Sequence, residues 1–430
     1  MTAMAGQRSV EVGGLNGSAP VAVAIPGAGD SFVQRLTRGA RSAWDDLVET
    51  APRALNPEVI TRKIRHLPRR LGTLGRGELQ PALPKPKPTL TVLIPAYNEA
   101  GSIADTIISL RRQTRKPDHV IVVDDCSKDG TGDIARSMDS AELRVTVVRP
   151  EQNRGCKASA LNYGLQFVSD DITLAIDADT MLADDGIEKL MPALDDETVG
   201  AACGMVIPRH VKTMWERGRY IEYLYAFGFY KPIQDYFDKP LIASGCFAAY
   251  RTAWLKRVNG WPTRTVGEDM DLTWMVYIGG QKVRFVPEAL CYPIEPTNFH
   301  FMRKQLTRWS HGFAQVVKTH WKNVLEIPYL RMIVAVALWD ATFATVAYFL
   351  AIPMLALNVS PLFLLAYLLD LPAILVPVLA QAIPRGEVKQ ALSSIPSFYM
   401  LRFVNFYFVL KAFFCEFVIN RRLKTFEKGH

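Results

Sequence analysis

Four short apolar runs, each closed by acidic or turn-forming residues, constrain this chain most. Residues 90–94, 120–123, 145–148 and 172–176 are rich in β-branched side chains and lack apolar–polar alternation. Strands buried on both faces of a parallel sheet have this character. Helix-length patterns separate them at 101–113, 131–138 and 157–168. The β-α-β-α order predicts an open α/β sheet. Ligands of such sheets bind beyond the carboxyl ends of the strands, so the polar residues that close each run are the candidates for a site.

At 430 residues the chain has room for two or three structural units. Its 49% apolar content excludes a wholly disordered chain. The long apolar runs gather near the C-terminus: 332–357 and 361–384 carry one charge each, Asp340 and Asp370. Both are long enough for a hydrocarbon core of roughly 30 Å at about 1.5 Å per residue. A third run, 395–420, holds Arg402, Lys411 and Glu416, and either spans against its neighbours or lies in the interface. The positive-inside rule puts Lys318, Lys322, Arg331, Arg385 and Lys389 in the cytoplasm. A third span would carry Arg421 and Arg422 outward, against that rule. The expectation is a multi-pass cell-membrane protein whose catalytic domain is cytoplasmic.

Of the net charge of +8, residues 1–90 contribute 13 Lys and Arg against 7 Asp and Glu. With no zinc-finger spacing, this basic balance points to anionic membrane lipids and away from nucleic acid. Residues 1–30 read as disordered, 31–88 as basic amphipathic helices ending in a proline-rich linker, and 421–430 as a basic tail. No signal peptide is expected at the N-terminus. The six cysteines form no CxxC pair, which fits a reducing compartment.

The acidic residues carry the chemistry. The first run ends in Ala96, Tyr97 and Glu99, and the second in Asp124 and Asp125. The fourth ends in Asp177-Ala-Asp179; Glu268-Asp269 follows, then Gln305-Leu-Thr-Arg308-Trp309 on a basic amphipathic pattern. Any one acidic cluster has a plain reading as a turn or helix cap. The ordered set resembles the membrane-associated, inverting family-2 glycosyltransferases, which include cellulose, chitin, hyaluronan and poly-N-acetylglucosamine synthases. Their signature is an Asp after the second strand, a DxD, an ED pair and QxxRW.

This resemblance covers about residues 90–321. It implies a GT-A nucleotide-sugar domain at 89–298, an interfacial QxxRW region at 299–331 and transmembrane or interfacial helices at 332–420. It also implies a UDP-sugar donor and Mg²⁺ or Mn²⁺ held by Asp179 with Asp177, since such ions prefer carboxylate oxygens. Ala96, Tyr97 and Glu99 would wall the nucleotide pocket. Asp124 or Asp125 would accept a hydrogen bond from the base; the residues leave open which. Lys157 would contact the donor diphosphate and Asp269 would act as general base. Glu268 and Asp271 read as residues that hold the loop or cap the following helix. Arg308 would meet the diphosphate with Gln305 on the same helix face, and Trp309 would offer a surface to the acceptor sugar. Ser244, Gly245 and Cys246 would line the acceptor site as a small-residue strand.

The implied reaction adds sugars to a growing polysaccharide at the cytoplasmic face, with a homo-oligomer or partner subunit completing any channel. The alternatives are single-sugar transfer to a lipid-linked acceptor and a non-catalytic membrane scaffold. Two or three spans without an internal repeat argue against a transporter.

Overall fold

The computed structural model describes residues 87–339, 343 and 346–423. The disordered stretch expected at 1–30, most of the helices and linker expected at 31–88, and most of the basic tail lie outside the described residues.

Strands β1 (Leu90–Ala96), β2 (His119–Asp124), β3 (Val145–Val148) and β4 (Ile172–Ile176) form where the four apolar runs predict them. Helices α1 (Ile103–Arg111), α2 (Thr131–Ser137) and α3 (Lys157–Leu165) fill the intervals. β1 pairs in parallel with β2 and with β4, and β2 in parallel with β3. All five side chains of β4 are buried, as are five of the six in β2, which is why neither run alternates. The chain steps outward from β1 to β3 and then returns to the far side of β1 to lay down β4. The crevice at the carboxyl ends of β1 and β4 is therefore the switch point where such sheets bind ligands.

The next elements are β5 (Met181–Leu182), α4 (Gly186–Leu190), β6 (Val199–Val206), α5 (Met214–Tyr225), a π-helical turn at Ala226–Tyr230, α6 (Lys231–Tyr236), β7 (Phe247–Arg251), α7 (Thr252–Arg257), α8 (Glu268–Ile278) and β8 (Lys282–Tyr292). They extend the sheet to eight strands in the order β3-β2-β1-β4-β7-β6-β8-β5. β7 runs antiparallel to both β4 and β6, so it reverses the chain next to the switch point. α5 starts on a capping box, with Thr213 Oγ1 accepting from the Glu216 N–H and Glu216 Oε2 accepting from the Thr213 N–H.

The C-terminal part comprises α9 (Phe299–Thr319), α10 (Trp321–Glu326), α11 (Pro328–Trp339), α12 (Ile352–Asn358), a 3₁₀ stretch at Pro361–Leu368, α13 (Leu371–Ala382) and α14 (Val388–Phe413). Among the described residues, one helical segment, Pro361–Ala382, is long and apolar enough to cross a membrane. The first expected span, 332–357, is described as two shorter apolar pieces, Pro328–Trp339 and Ala347–Asn358.

The third expected segment packs along α5 and α9, and Arg402 and Glu416 on it meet polar partners. Arg402 pairs with Asp370, which also accepts hydrogen bonds from Tyr348 Oη (3.0 Å) and Tyr399 Oη (2.7 Å). Glu416 lies 2.8 Å from His311 Nδ1 and accepts from Gln315 Nε2 at 2.8 Å. Pairing of this kind is what lets charges enter an apolar run.

Candidate active site

β1 and β2 end side by side, with Ala96 opposite Asp124, and the loops that follow are stitched together. The Asn98 N–H donates to Ser127 Oγ (2.9 Å), the Lys128 N–H to Asn98 Oδ1 (2.9 Å) and the Glu99 N–H to Thr131 Oγ1 (2.7 Å). Ala96 is buried and Tyr97 exposed, while the Glu99 carboxylate accepts from Ser102 Oγ at 2.8 Å.

The two adjacent aspartates differ. Asp124 is 1% exposed and both its oxygens are taken: Oδ1 by the Ser127 N–H (2.9 Å) and Oδ2 by Arg149 Nη1 (2.8 Å). Gly132 allows this packing, since a Cβ there would sit 2.3 Å from Asp124 Oδ2. Asp125 Oδ1 accepts from the Arg154 N–H at 2.8 Å. Burial raises its carboxyl above the usual range, against the pull of Arg154.

A charge cluster lies beyond β4. Lys157, in the first turn of α3, pairs directly with Asp177 Oδ1, lies 3.9 Å from Glu268 Oε1 and donates to the Gly245 carbonyl at 3.2 Å. Burial works against its ammonium, but Asp177, Glu268 and Asp269 outweigh it and hold the pKa above the ordinary lysine value. Burial and the charge of Asp179 push the Asp177 carboxyl up, while Lys157 pulls it back. Glu268 is likewise raised by burial and by Asp269.

Asp269 stands in the first turn of α8, where the helix dipole favours a carboxylate. Its Oδ2 accepts the Gly245 N–H at 3.0 Å and its Oδ1 the Met270 N–H at 2.8 Å. Gly245 thus ties Asp269 to Lys157 through its two peptide groups, and a Cβ there would lie 3.1 Å from Asp269 Oδ2 and 3.2 Å from Lys157 Nζ. Ser244, Gly245 and Cys246 form the turn entering β7, where a small-residue strand was expected. The Gly245 N–H and carbonyl bond to side chains at the site, which a paired strand would not permit. Ser244 Oγ accepts from buried Lys231 at 2.8 Å. Asp271 faces away, bound by Arg264 (2.9 and 2.7 Å) and His320 (2.7 Å). It fastens the loop, as read from the sequence.

The QxxRW residues divide differently from the expected pairing of Gln305 with Arg308. Gln305 and Trp309, one turn apart on α9, both meet Arg219 of α5: Gln305 Oε1 accepts from its Nη2 at 2.9 Å, and the Trp309 ring lies 4.4 Å from its guanidinium. Arg308 is near enough to Asp177 and Glu268 for its charge to draw down their carboxyls.

The site thus gathers carboxylates, a buried ammonium and a guanidinium at the switch point of an α/β sheet. A family model described as "Glycosyl transferase family 2" matches residues 91–258. Residues 91–258 are a family-2 glycosyltransferase domain. Two bacterial proteins named poly-beta-1,6-N-acetyl-D-glucosamine synthase are similar to the chain. One, from Staphylococcus aureus (strain MSSA476), is 27% identical over 229 residues, covering 53% of this chain and 55% of the relative. The other, from Staphylococcus epidermidis, is 27% identical over 237 residues, covering 55% and 57%. The chain spans about half the length of these curated relatives. The solved mannosyltransferase from Pyrobaculum calidifontis, in complex with GDP-Man and Mn²⁺, shares the fold with a TM-score of 0.55 and 19% identity, over 90% of this chain and 98% of that one.

The matched glycosyltransferase domain contains Asp124, Asp125, Lys157, Asp177, Asp179 and the 244–246 turn. Asp269 and the QxxRW helix follow it, and the fold brings Asp269 back against Gly245. Three polar residues at or beside the site escaped the sequence reading: Arg149, Arg219 and Glu295. Arg219 sits among Tyr220, Ile221 and Leu224 on a helix, where an arginine's presence on the buried side was the available signal. Glu295 falls between Ile294 and Pro296 after a long strand, a position that marks a turn as readily as a site.

Proposed function

We propose that this chain is a membrane-bound, inverting glycosyltransferase that moves a sugar from a UDP-sugar onto a growing polysaccharide at the cytoplasmic face. The observation that carries this reading is the Gly245 junction, which joins the Asp269 carboxylate to the Lys157–Asp177 pair across the carboxyl end of the sheet. The similarity to poly-N-acetylglucosamine synthases supports the substrate class, and the apolar Pro361–Ala382 segment supports membrane attachment.

In this mechanism Asp125 accepts the base N–H, because Asp124 is 1% exposed and held by Arg149 and the Ser127 N–H. Tyr97 and Glu99 border the same crevice beside Ala96. Asp177 and Asp179 offer hard oxygen donors of the kind that Mg²⁺ and Mn²⁺ prefer, which fits a site completed by diphosphate oxygens. Bound there, the ion would offset charge on the departing diphosphate. Lys157 and Arg308 supply further positive charge. Asp269 takes the proton from the acceptor hydroxyl as its oxygen attacks the anomeric carbon and the bond to the diphosphate breaks on the opposite side. One base and one displacement invert the configuration. Ser244 and Cys246 flank the acceptor, and Trp309 presents a ring face to its sugar.

The test is UDP release by purified full-length protein from a panel of UDP-sugars, beginning with UDP-N-acetylglucosamine, with Mn²⁺ or Mg²⁺ present. The expected result is one preferred donor, ion-dependent turnover and loss of turnover in Asp179→Ala. Turnover of no UDP-sugar, or full activity in Asp179→Ala, would overturn the assignment. Product size separates a polymer from a single addition to lipid.

A further inference from the structure

Arg219 lies at the middle of α5 with its side chain fully out of water. A guanidinium so placed is costly unless its charge and donors are met. Nη1 donates to Glu222 Oε2 at 2.5 Å, Nη2 donates to Gln305 Oε1 at 2.9 Å, and Nε lies 3.8 Å from Glu295 Oε2. Glu295 is itself buried, accepting from Tyr223 Oη at 2.7 Å and Gln305 Nε2 at 3.3 Å. The guanidinium carbon lies over the Trp309 ring, 4.4 Å from its centroid, while Trp309 as a whole is 39% exposed.

One buried side chain thus grips two of the three QxxRW side chains. Its Nη2 holds the Gln305 amide oxygen, and its cationic carbon sits over one ring face of Trp309. Of the charges around it, Glu222 and Glu295 are acidic and within reach, and the Tyr223 hydroxyl caps Glu295. Glu222, on α5, bonds the guanidinium directly, and Glu295, on the segment after β8, faces its Nε at 3.8 Å. A role in packing alone would be served by any bulky cation. Over an indole an arginine can stack a planar group as well as place a charge, which a lysine ammonium cannot.

We propose that Arg219 is a positioning residue for the acceptor: it holds the Trp309 indole at the orientation in which its open face receives the acceptor sugar. This rests on Trp309 being the acceptor platform of the proposed reaction. The planarity of Arg219 is required as well as its charge, so lysine does not substitute.

The test uses the full-length protein in detergent, with UDP-N-acetylglucosamine as donor and a β-1,6-linked N-acetylglucosamine pentasaccharide as acceptor. In Arg219→Lys the acceptor KM is expected to rise about tenfold, the scale of a lost desolvated cation–π stack, with donor KM within about twofold. Trp309→Ala should give a similar rise, and the double variant no more than either alone. Independently of turnover, iodide quenching assigned to Trp309, by difference from Trp309→Phe, should increase in Arg219→Lys. An unchanged acceptor KM, additive losses in the double variant, or a parallel rise of donor and acceptor KM would overturn the proposal. Unchanged quenching would overturn it even if the protein turned over no donor, whereas absent turnover with increased quenching would refute only the reaction on which it rests. Thermal unfolding of each variant, with Glu295→Gln as an isosteric alternative that loosens the same guanidinium, separates misfolding from mispositioning.

Discussion

Replacing Lys157 by methionine keeps most of the side-chain volume and removes the one ammonium that faces Asp177, Glu268 and Asp269. Breaking a buried pair by deleting one partner costs about 3–5 kcal/mol. The Lys157 side chain is 12% exposed and that of Asp177 is 34% exposed. Water reaches Asp177, so the lower end, about 3 kcal/mol at pH 8, is the expected loss. The sign with pH follows from the carboxyls. Burial already raises Asp177 and Glu268, helped by the charges of Asp179 and Asp269 respectively, and Lys157 pulls both down. Without it, the folded state holds protons that the unfolded state has released, so stability falls as pH rises through the raised folded values. At pH 5 protonation relieves much of the repulsion, and the deficit should shrink to about 1 kcal/mol. Urea unfolding in detergent micelles at both pH values, followed by tryptophan fluorescence, measures the difference. An equal loss at pH 5 and pH 8 would refute the charge argument and leave a packing defect in its place.

Two further outcomes follow from other parts of the site. Burial pushes Glu295 from 4.5 up to about 7 despite Arg219, so its folded pKa lies above its unfolded one. It therefore costs stability that is absent below pH 4.5 and fully present above about 7, on the order of 3 kcal/mol; thermal unfolding of Glu295→Gln between pH 5 and pH 8 should be flatter than that of the parent, and identical slopes would contradict this. Gly132→Ala brings a Cβ to 2.3 Å from Asp124 Oδ2, which should displace Asp124 from Arg149 and cost about 1–3 kcal/mol; calorimetry of UDP binding should show weakened affinity, and an unaltered Kd would mean that the Asp124 pairing does not shape the base pocket.

The parallel half of the sheet was legible because β1, β2 and β4 are buried on both faces, and short apolar runs rich in β-branched residues, such as Val120–Val123, fill that space. The carboxylates that close them could be found because strand ends in such sheets face the crevice. The antiparallel half was less visible. β6 is Val-Gly-Ala-Ala-Cys-Gly-Met-Val, built of small residues; at Gly204 a Cβ would lie 2.3 Å from a Phe247 ring carbon. Close packing against a neighbouring ring selected for smallness there and erased the strand signature. Pairings between distant segments were likewise hidden. Arg219 and Gln305 are 86 positions apart, and helical spacing placed Gln305 beside Arg308 when its actual partner comes from another element. The apolar C-terminal runs announced themselves by length, but the partners of Arg402 and Glu416 emerged only from the packing of α14 against its neighbours.

The assignment of Asp269 as the base is tested most directly by comparing Asp269→Asn with the parent for sugar transfer to the β-1,6-linked pentasaccharide and for UDP binding. Asparagine can still accept the Gly245 N–H through its one oxygen, giving up the bond from the Met270 N–H, so the turn and the donor pocket should persist, with Kd for UDP within about threefold, while kcat falls by about 10³-fold for want of a proton acceptor. A kcat within tenfold of the parent at unchanged donor affinity would contradict the account.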